Sequence, residues 1–216
     1  MNPFVAPQSS IRGTKPGRKP PKHRTPRKGE ILGVAAELFA EHGYGSVSMI
    51  EIANAAKLSK TSLYHYFETK EQILGTIVVT TISELNQFIA NMVPATGAPE
   101  DRLRVCIEAQ AFFFEQNQMS CKVLLTQLGS LTDLESRDAA VEWRVKYENF
   151  LSQIIQDGIN QGRFDENMHA SMIRAIMGSL YWLVRWYRPD SSTSAQQIAS
   201  EYADLLLNGI IRNPEL

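Results

Sequence analysis

The 216-residue chain predicts an all-α fold, with a small N-terminal three-helix unit followed by a larger helical domain. Apolar residues recur at helical spacing from Ile31 almost to the C-terminus, with no convincing alternation of period two. The early helices open on recognisable capping signals. Charge then divides the chain. Residues 1–28 carry eight Lys and Arg and no acid, a formal +8, whereas the remainder carries 14 basic and 23 acidic side chains, a formal −9.

The basic block, GTKPGRKPPKHRTPRKG, is dense in proline and glycine and has too little apolar surface to offset the entropy of ordering. It is expected to be a disordered cationic arm over 1–28. A solubilising tail is the plain reading. The sharper one is an arm whose Arg24, Arg27 and Lys28 engage phosphates or a DNA minor groove.

Ile31, Ala35, Leu38, Phe39 and His42 trace one face of a first helix, which Gly43 stops. Ser48 and Glu51 then form an S-x-x-E capping box, with Val47 and Ile52 as its hydrophobic staple, opening the short helix MIEIANAA. Lys57 and Leu58 make a tight turn before Ser59 caps a third helix. Thr69 and Gln72 form another box, opening a longer helix that runs to Pro94. Further helices are expected over about 102–118 and 121–131. The charged segment TDLESRDAA then gives way to a long helix marked by Trp143, Tyr147, Leu151, Ile154 and Gly158. The run from Met168 to Arg188 is apolar nearly all round and ends at Pro189, and a last amphipathic helix covers about 194–211.

Several classes find no support. Cys106 and Cys121 show neither a CxxC pair nor ligand spacing, and the four histidines are scattered, so no metal site, disulfide framework, cofactor or catalytic set can be assembled. No apolar run approaches bilayer length and the N-terminus lacks a secretory signal, so no membrane partner and a cytoplasmic location are expected.

A first helix ending in FAEHGY, then VSMIEIANAA, the turn and KTSLYHYFETKEQIL together resemble the N-terminal DNA-binding domain of the TetR family of transcriptional regulators. The resemblance spans about 29–74 and implies a helix-turn-helix there, with 75–216 forming an all-helical ligand-binding and dimerisation domain. Lys57 departs from the family pattern, which often has glycine at this left-handed turn position.

The helical wheel of the third helix reaches the same place on physical grounds. Leu63 and Phe67 share one side and must pack inward, while Thr61 and His65 point away. Ser62 and Tyr64 flank the outward face, and Lys60 and Tyr66 lie at its edges. Such a helix fits the B-DNA major groove, so Ser48, Ser59, Lys60, Thr61, Ser62, Tyr64, His65 and Tyr66 are the candidate DNA-contacting residues. Lys70, at the next helix start, suits a phosphate. Because residues 29–74 hold three lysines and six glutamates, the arm is expected to supply much of the affinity and the helix the discrimination.

In the C-terminal part, WRVKYENFLSQIIQDGINQGRF and LYWLVRWYRPD resemble TetR members that regulate fatty-acid, sterol or related lipid catabolism, some sensing acyl-CoA thioesters. Phe113, Trp143, Tyr147, Met177 and Trp182, with Arg174 for an anionic group, are the candidate ligand contacts; a plain core is the other reading of the same stripe. MIRAIMGSLYWLVRW has more apolar faces than one core contact needs, so one is expected to meet a second subunit. The function expected is a homodimeric repressor of a palindromic double-stranded DNA operator, released by a small apolar or acyl-CoA-like ligand. An architectural DNA-binding protein without an inducer is the alternative.

Overall fold

The computed structural model describes residues 28–167 and 170–210. Among them nine α-helices and no β-strand are found: α1 Lys28–His42, α2 Met49–Ala55, α3 Lys60–Tyr64, α4 Lys70–Met92, α5 Pro99–Gln116, α6 Gln118–Gln127, α7 Leu134–Asn160, α8 Ala170–Trp186 and α9 Ala195–Ile210. Short 3-10 turns occupy Tyr44–Ser46 and Leu128–Ser130.

The local signals act as their chemistry dictates. Ser48 and Glu51 close the full capping box, with Ser48 N–H donating to Glu51 Oε2 at 2.7 Å and Glu51 N–H donating to Ser48 Oγ at 3.2 Å. Ser59 Oγ accepts from the Ser62 N–H at 3.1 Å. At Thr69 the box is only half made. Thr69 Oγ1 accepts from the Gln72 N–H at 3.1 Å, but the Gln72 amide reaches past Thr69 to accept from the Glu68 N–H at 2.8 Å. Between α2 and α3, Lys57 takes φ 57°, the left-handed conformation, while Lys57 N–H donates to Asn54 O and Leu58 N–H to Ala53 O. This is a Schellman closure with lysine where glycine is cheapest.

Two expectations of extent are corrected. The charged segment TDLESRDAA is not a connector beyond its first two residues. Asp133 caps α7 by accepting from the Ser136 N–H at 2.8 Å, and the charges that follow sit on the helix. α5 begins at Pro99 rather than near residue 102, because proline is at home in a first helical turn. α4 is also long and apolar enough to cross a membrane by length and composition, contrary to the sequence expectation. Its apolar residues are committed to packing, and Ile73, Ile77, Val78, Ile82, Leu85 and Ile89 are all buried.

Two cores divide the molecule, and α4 belongs to both. The first gathers Ile31, Phe39, Ile52, Leu63, Phe67, Ile77 and Ile82 with Val123 and Leu124 of α6, Leu131, and Ala140 of α7. The second gathers Leu85, Ile89, Leu103, Ile107, Phe113, Tyr147, Leu151, Phe164, Leu180 and Leu207 from α4, α5, α7, α8 and α9 and their connections. The N-terminal unit therefore does not close its own interior: α6 and α7 complete it.

Candidate nucleic-acid interface and ligand cavity

Over residues 60–67, α3 and the turn that follows it, the predicted division of faces is present. Leu63 and Phe67 are fully buried, whereas Thr61, Tyr64 and His65 are exposed and Ser62 and Tyr66 are half-buried. Ser48, Ser59 and Lys60 are exposed as well. The helix proper ends at Tyr64, and His65 forms its C-cap in helical conformation. Ser59 Oγ and Ser62 Oγ lie 2.8 Å apart, and the Lys60 ammonium sits 5.8 Å from the Tyr64 ring centroid. The exposed surface thus offers hydroxyls, an imidazole and one cation on a rigidly capped turn.

Lys70 has a different setting from the one its position suggested. Its ammonium donates to Tyr44 O at 2.8 Å and Val47 O at 2.7 Å and lies 4.3 Å from the Tyr44 ring centroid. Two of its three N–H donors are therefore spent on the chain between α1 and α2. Tyr44, which the sequence did not single out, completes the brace. Its hydroxyl donates to Glu71 Oε1 at 2.9 Å and its ring meets Phe39 edge-on at 5.2 Å. Burial, and then the bond to Glu71, push the Tyr44 hydroxyl well above its ordinary pKa. Only the glycines on either side of Tyr44 hinted at a special turn.

Arg24 and Arg27 lie outside the described residues. Lys28, counted with the arm, is the first residue of α1, and its ammonium stands 4.9 Å from the centroid of the Phe67 ring. The arm is accordingly rooted beside the inner anchor of α3.

In the C-terminal domain the expected ligand contacts do not share one surface. Phe113, Tyr147 and Met177 are buried in the second core, but half-buried Trp143 packs on the first, and Arg174 and Trp182 are exposed. Arg174 and Arg185 reach solvent from α8, the latter 5.7 Å from the Trp182 ring centroid. A helical run that is apolar in sequence has turned one side outward. A cavity of about 170 Å³ lies between α4, α6, α7 and α8, walled by Ile82, Leu85, Leu124, Leu125, Leu128, Tyr147 and Tyr181, with Asn86 and Arg144 as polar members. An open pocket of about 240 Å³ shares Asn86 and Tyr147 with it and adds Trp143, Lys146 and Phe150. Leu125 and Tyr181 also border an open groove carrying Lys122 and Arg185. Burial raises the Tyr181 hydroxyl pKa, an effect that Glu148 adds to and Arg144 opposes.

Residues 31–77 match the family described as bacterial regulatory proteins, tetR family, and residues 96–210 match the Tetracyclin repressor-like, C-terminal domain. The chain belongs to the TetR family. This TetR protein is 27% identical over 188 residues to the HTH-type transcriptional repressor KstR2 of Mycobacterium tuberculosis, covering 86% of this chain and 94% of that one. Its fold matches the crystal structure of the TetR family regulator PfmR from Thermus thermophilus with a TM-score of 0.77 at 36% identity, over 82% of this chain and 97% of that chain. It also matches AibR, solved in complex with isovaleryl coenzyme A and operator DNA, with a TM-score of 0.75 at 26% identity, over 83% and 97% of the two chains. The protein is thus a DNA-binding transcriptional regulator of TetR type and not an enzyme.

Proposed function

We propose that this regulator is a repressor that holds a palindromic operator as a homodimer and lets go when a small apolar or acyl-CoA-like ligand fills the cavity between its two cores. One observation carries the reading. Ile82 and Leu124 wall the cavity and also belong to the core beneath α3, while Leu85 and Tyr147 wall it from the second core. A ligand that swells this space presses on the packing that orients the DNA-reading helix, and it favours release to the extent that it binds the displaced arrangement better. Lys122 and Arg185 in the adjoining groove suit the phosphates of a thioester carrier, and AibR, of like fold, is known with isovaleryl coenzyme A and operator DNA.

Thr61, Tyr64 and His65 meet base edges in the major groove, with Ser48, Ser59, Lys60, Ser62 and Tyr66 on the flanking backbone. Lys70 braces the head and keeps one N–H for a phosphate. Arg24, Arg27 and Lys28 of the arm supply affinity that the acidic head cannot. Trp182, Trp186 and Leu205, exposed by 61%, 45% and 73% on α8 and α9, are the apolar face that a second subunit covers. The protein acts in the cytoplasm, where its DNA is.

The test is operator selection from random DNA followed by anisotropy titration of the full-length protein. A palindrome, bound by a dimer and released by octanoyl-CoA, is the expected result. Equal binding of palindrome and random DNA, untouched by any thioester, would instead describe an architectural protein.

A further inference from the structure

Gln110 of α5 is wholly buried in the second core. Its Oε1 accepts a hydrogen bond from the Tyr147 hydroxyl, and Cys106 Sγ lies 3.9 Å from the same hydroxyl. Its Nε2 has no hydrogen-bond partner among the described residues. The other buried polar side chain of the described core, Thr81, is satisfied, donating to Ile77 O at 2.7 Å. A buried amide donor without an acceptor has lost its hydration with nothing in return and destabilises the fold. Turning the amide over does not remove the problem. Tyr147 would then accept from Nε2, its own proton would have only the weakly accepting Cys106 sulfur to go to, and Oε1 would be stranded instead.

The position of this amide gives it a use. Tyr147 lines both the 170 Å³ and the 240 Å³ pockets, and its hydroxyl donates to Gln110, which lines neither. Tyr147 is thus shared by the walls of both spaces and is the hydrogen-bond partner of the amide, so a ligand that displaced its ring would uncover Gln110. The polar side chains at the pocket walls, Asn86, Gln87, Arg144 and Lys146, with the hydroxyls of Tyr147 and Tyr181, belong to α4, α7 and α8, so the wholly buried α5 amide is a separate contact.

We infer that Gln110 is the polar reader of the cavity, and that the ligand presents to its Nε2 a neutral carbonyl oxygen, as in a ketone, ester or thioester, on an otherwise apolar body. This rests on the proposal that the cavity holds a ligand. The need for neutrality follows from the surroundings. A carboxylate carried so deep would meet one neutral donor, which does not offset its lost hydration, and would stop at Arg144 or Lys122 nearer the surface. Tyr147 is a door whose hydroxyl keeps the amide in place until the ligand arrives.

The test measures Kd for 2-octanone, octane, octanoyl-CoA and coenzyme A on the full-length protein and on Gln110→Met, with Gln110→Leu as a second variant. The substitution should move the ketone-to-alkane affinity ratio about tenfold toward the alkane. Octanoyl-CoA should weaken by a similar factor and coenzyme A should not, which would assign the carbonyl to the thioester rather than to a free ketone. A second measurement needs no variant: in the ¹⁵N-labelled protein, one glutamine side-chain amide resonance should shift with 2-octanone and stay still with octane. An unchanged ratio, a static amide spectrum, or no binding by any carbonyl compound overturns the inference. Operator release is not part of this readout. Binding through Gln110 that leaves DNA held would refute ligand release alone.

Discussion

The DNA-binding head and the C-terminal body are both helical, but they lean on caps and on packing to different degrees. In the head, α2 and α3 have only seven and five residues, too short to hold without tertiary help, and each is pinned at its start by a side chain. The body uses helices of 10 to 27 residues, and α5 and α6 begin with no side-chain cap at all. The body closes its own interior, whereas the head borrows Val123, Leu124, Leu131 and Ala140 from α6 and α7 and their connection. A small unit has too little interior to stand alone, and covering its open side with the C-terminal body links its orientation to whatever α6 does.

The comparison breaks most sharply at the large buried rings. Phe67→Ala and Phe164→Ala should each cost about 3 to 5 kcal/mol by denaturant unfolding. Hydrogen exchange should then show lost protection in the head alone for the first and in the body alone for the second. Leu124→Ala, at the shared boundary, should loosen both. Next in size is the exposed body face: in the proposed homodimer, Trp182→Glu with Leu205→Glu should yield monomers by light scattering and lower operator affinity on the order of 100-fold, since two linked heads become one.

Head and body meet closely at Gly75, where an added Cβ would lie 2.3 Å from Ser136 Oγ and 2.7 Å from its Cβ. Gly75→Ala should destabilise by about 1 to 3 kcal/mol and disturb operator affinity, and adding Ser136→Gly should restore affinity by making room. A smaller effect of opposite sign belongs to the head's turn. Lys57→Gly relieves the left-handed backbone and should raise stability by about 1 kcal/mol, read as a higher denaturation midpoint.

The smallest expected effect is the response to acid, common to both regions. Hydrogen bonds from Ser48 hold the Glu51 carboxyl below its ordinary range, and those from Arg102 and then Gln153 do the same for Asp157. A depressed carboxyl stabilises the fold above its unfolded pKa, and that contribution is lost as pH falls through the folded value. Tm should therefore drop as pH passes below about 4. Glu51→Gln should flatten the head's share of this drop and Asp157→Asn the body's.

What could be read locally was read well because it depends on neighbours within one or two turns. The box at Ser48 and the division of residues 60–67 into Leu63 and Phe67 inward against Thr61 and His65 outward follow from cap chemistry and helical spacing, while the left-handed turn at Lys57 was implied by the family resemblance. The misplaced start of α7 shows the limit of the same method: charge density suggested a connector, but a charged segment behind an aspartate cap is simply a solvated helix face.

By itself, then, the amino-acid sequence determined an all-helical chain with a capped helix-turn-helix, the outward face of its third helix, and the contrast between a basic N-terminal segment and an acidic remainder. Only the tertiary structure decided where Lys70 spends its ammonium, 23 and 26 residues back along the chain. It also decided that Trp182 and Arg174 leave the interior while Tyr147 and Gln110 occupy it, and that α6 completes the head. Periodicity states that a side is apolar but not what covers it. That choice is made by packing between helices far apart in sequence, where burial of the whole surface is shared out at once.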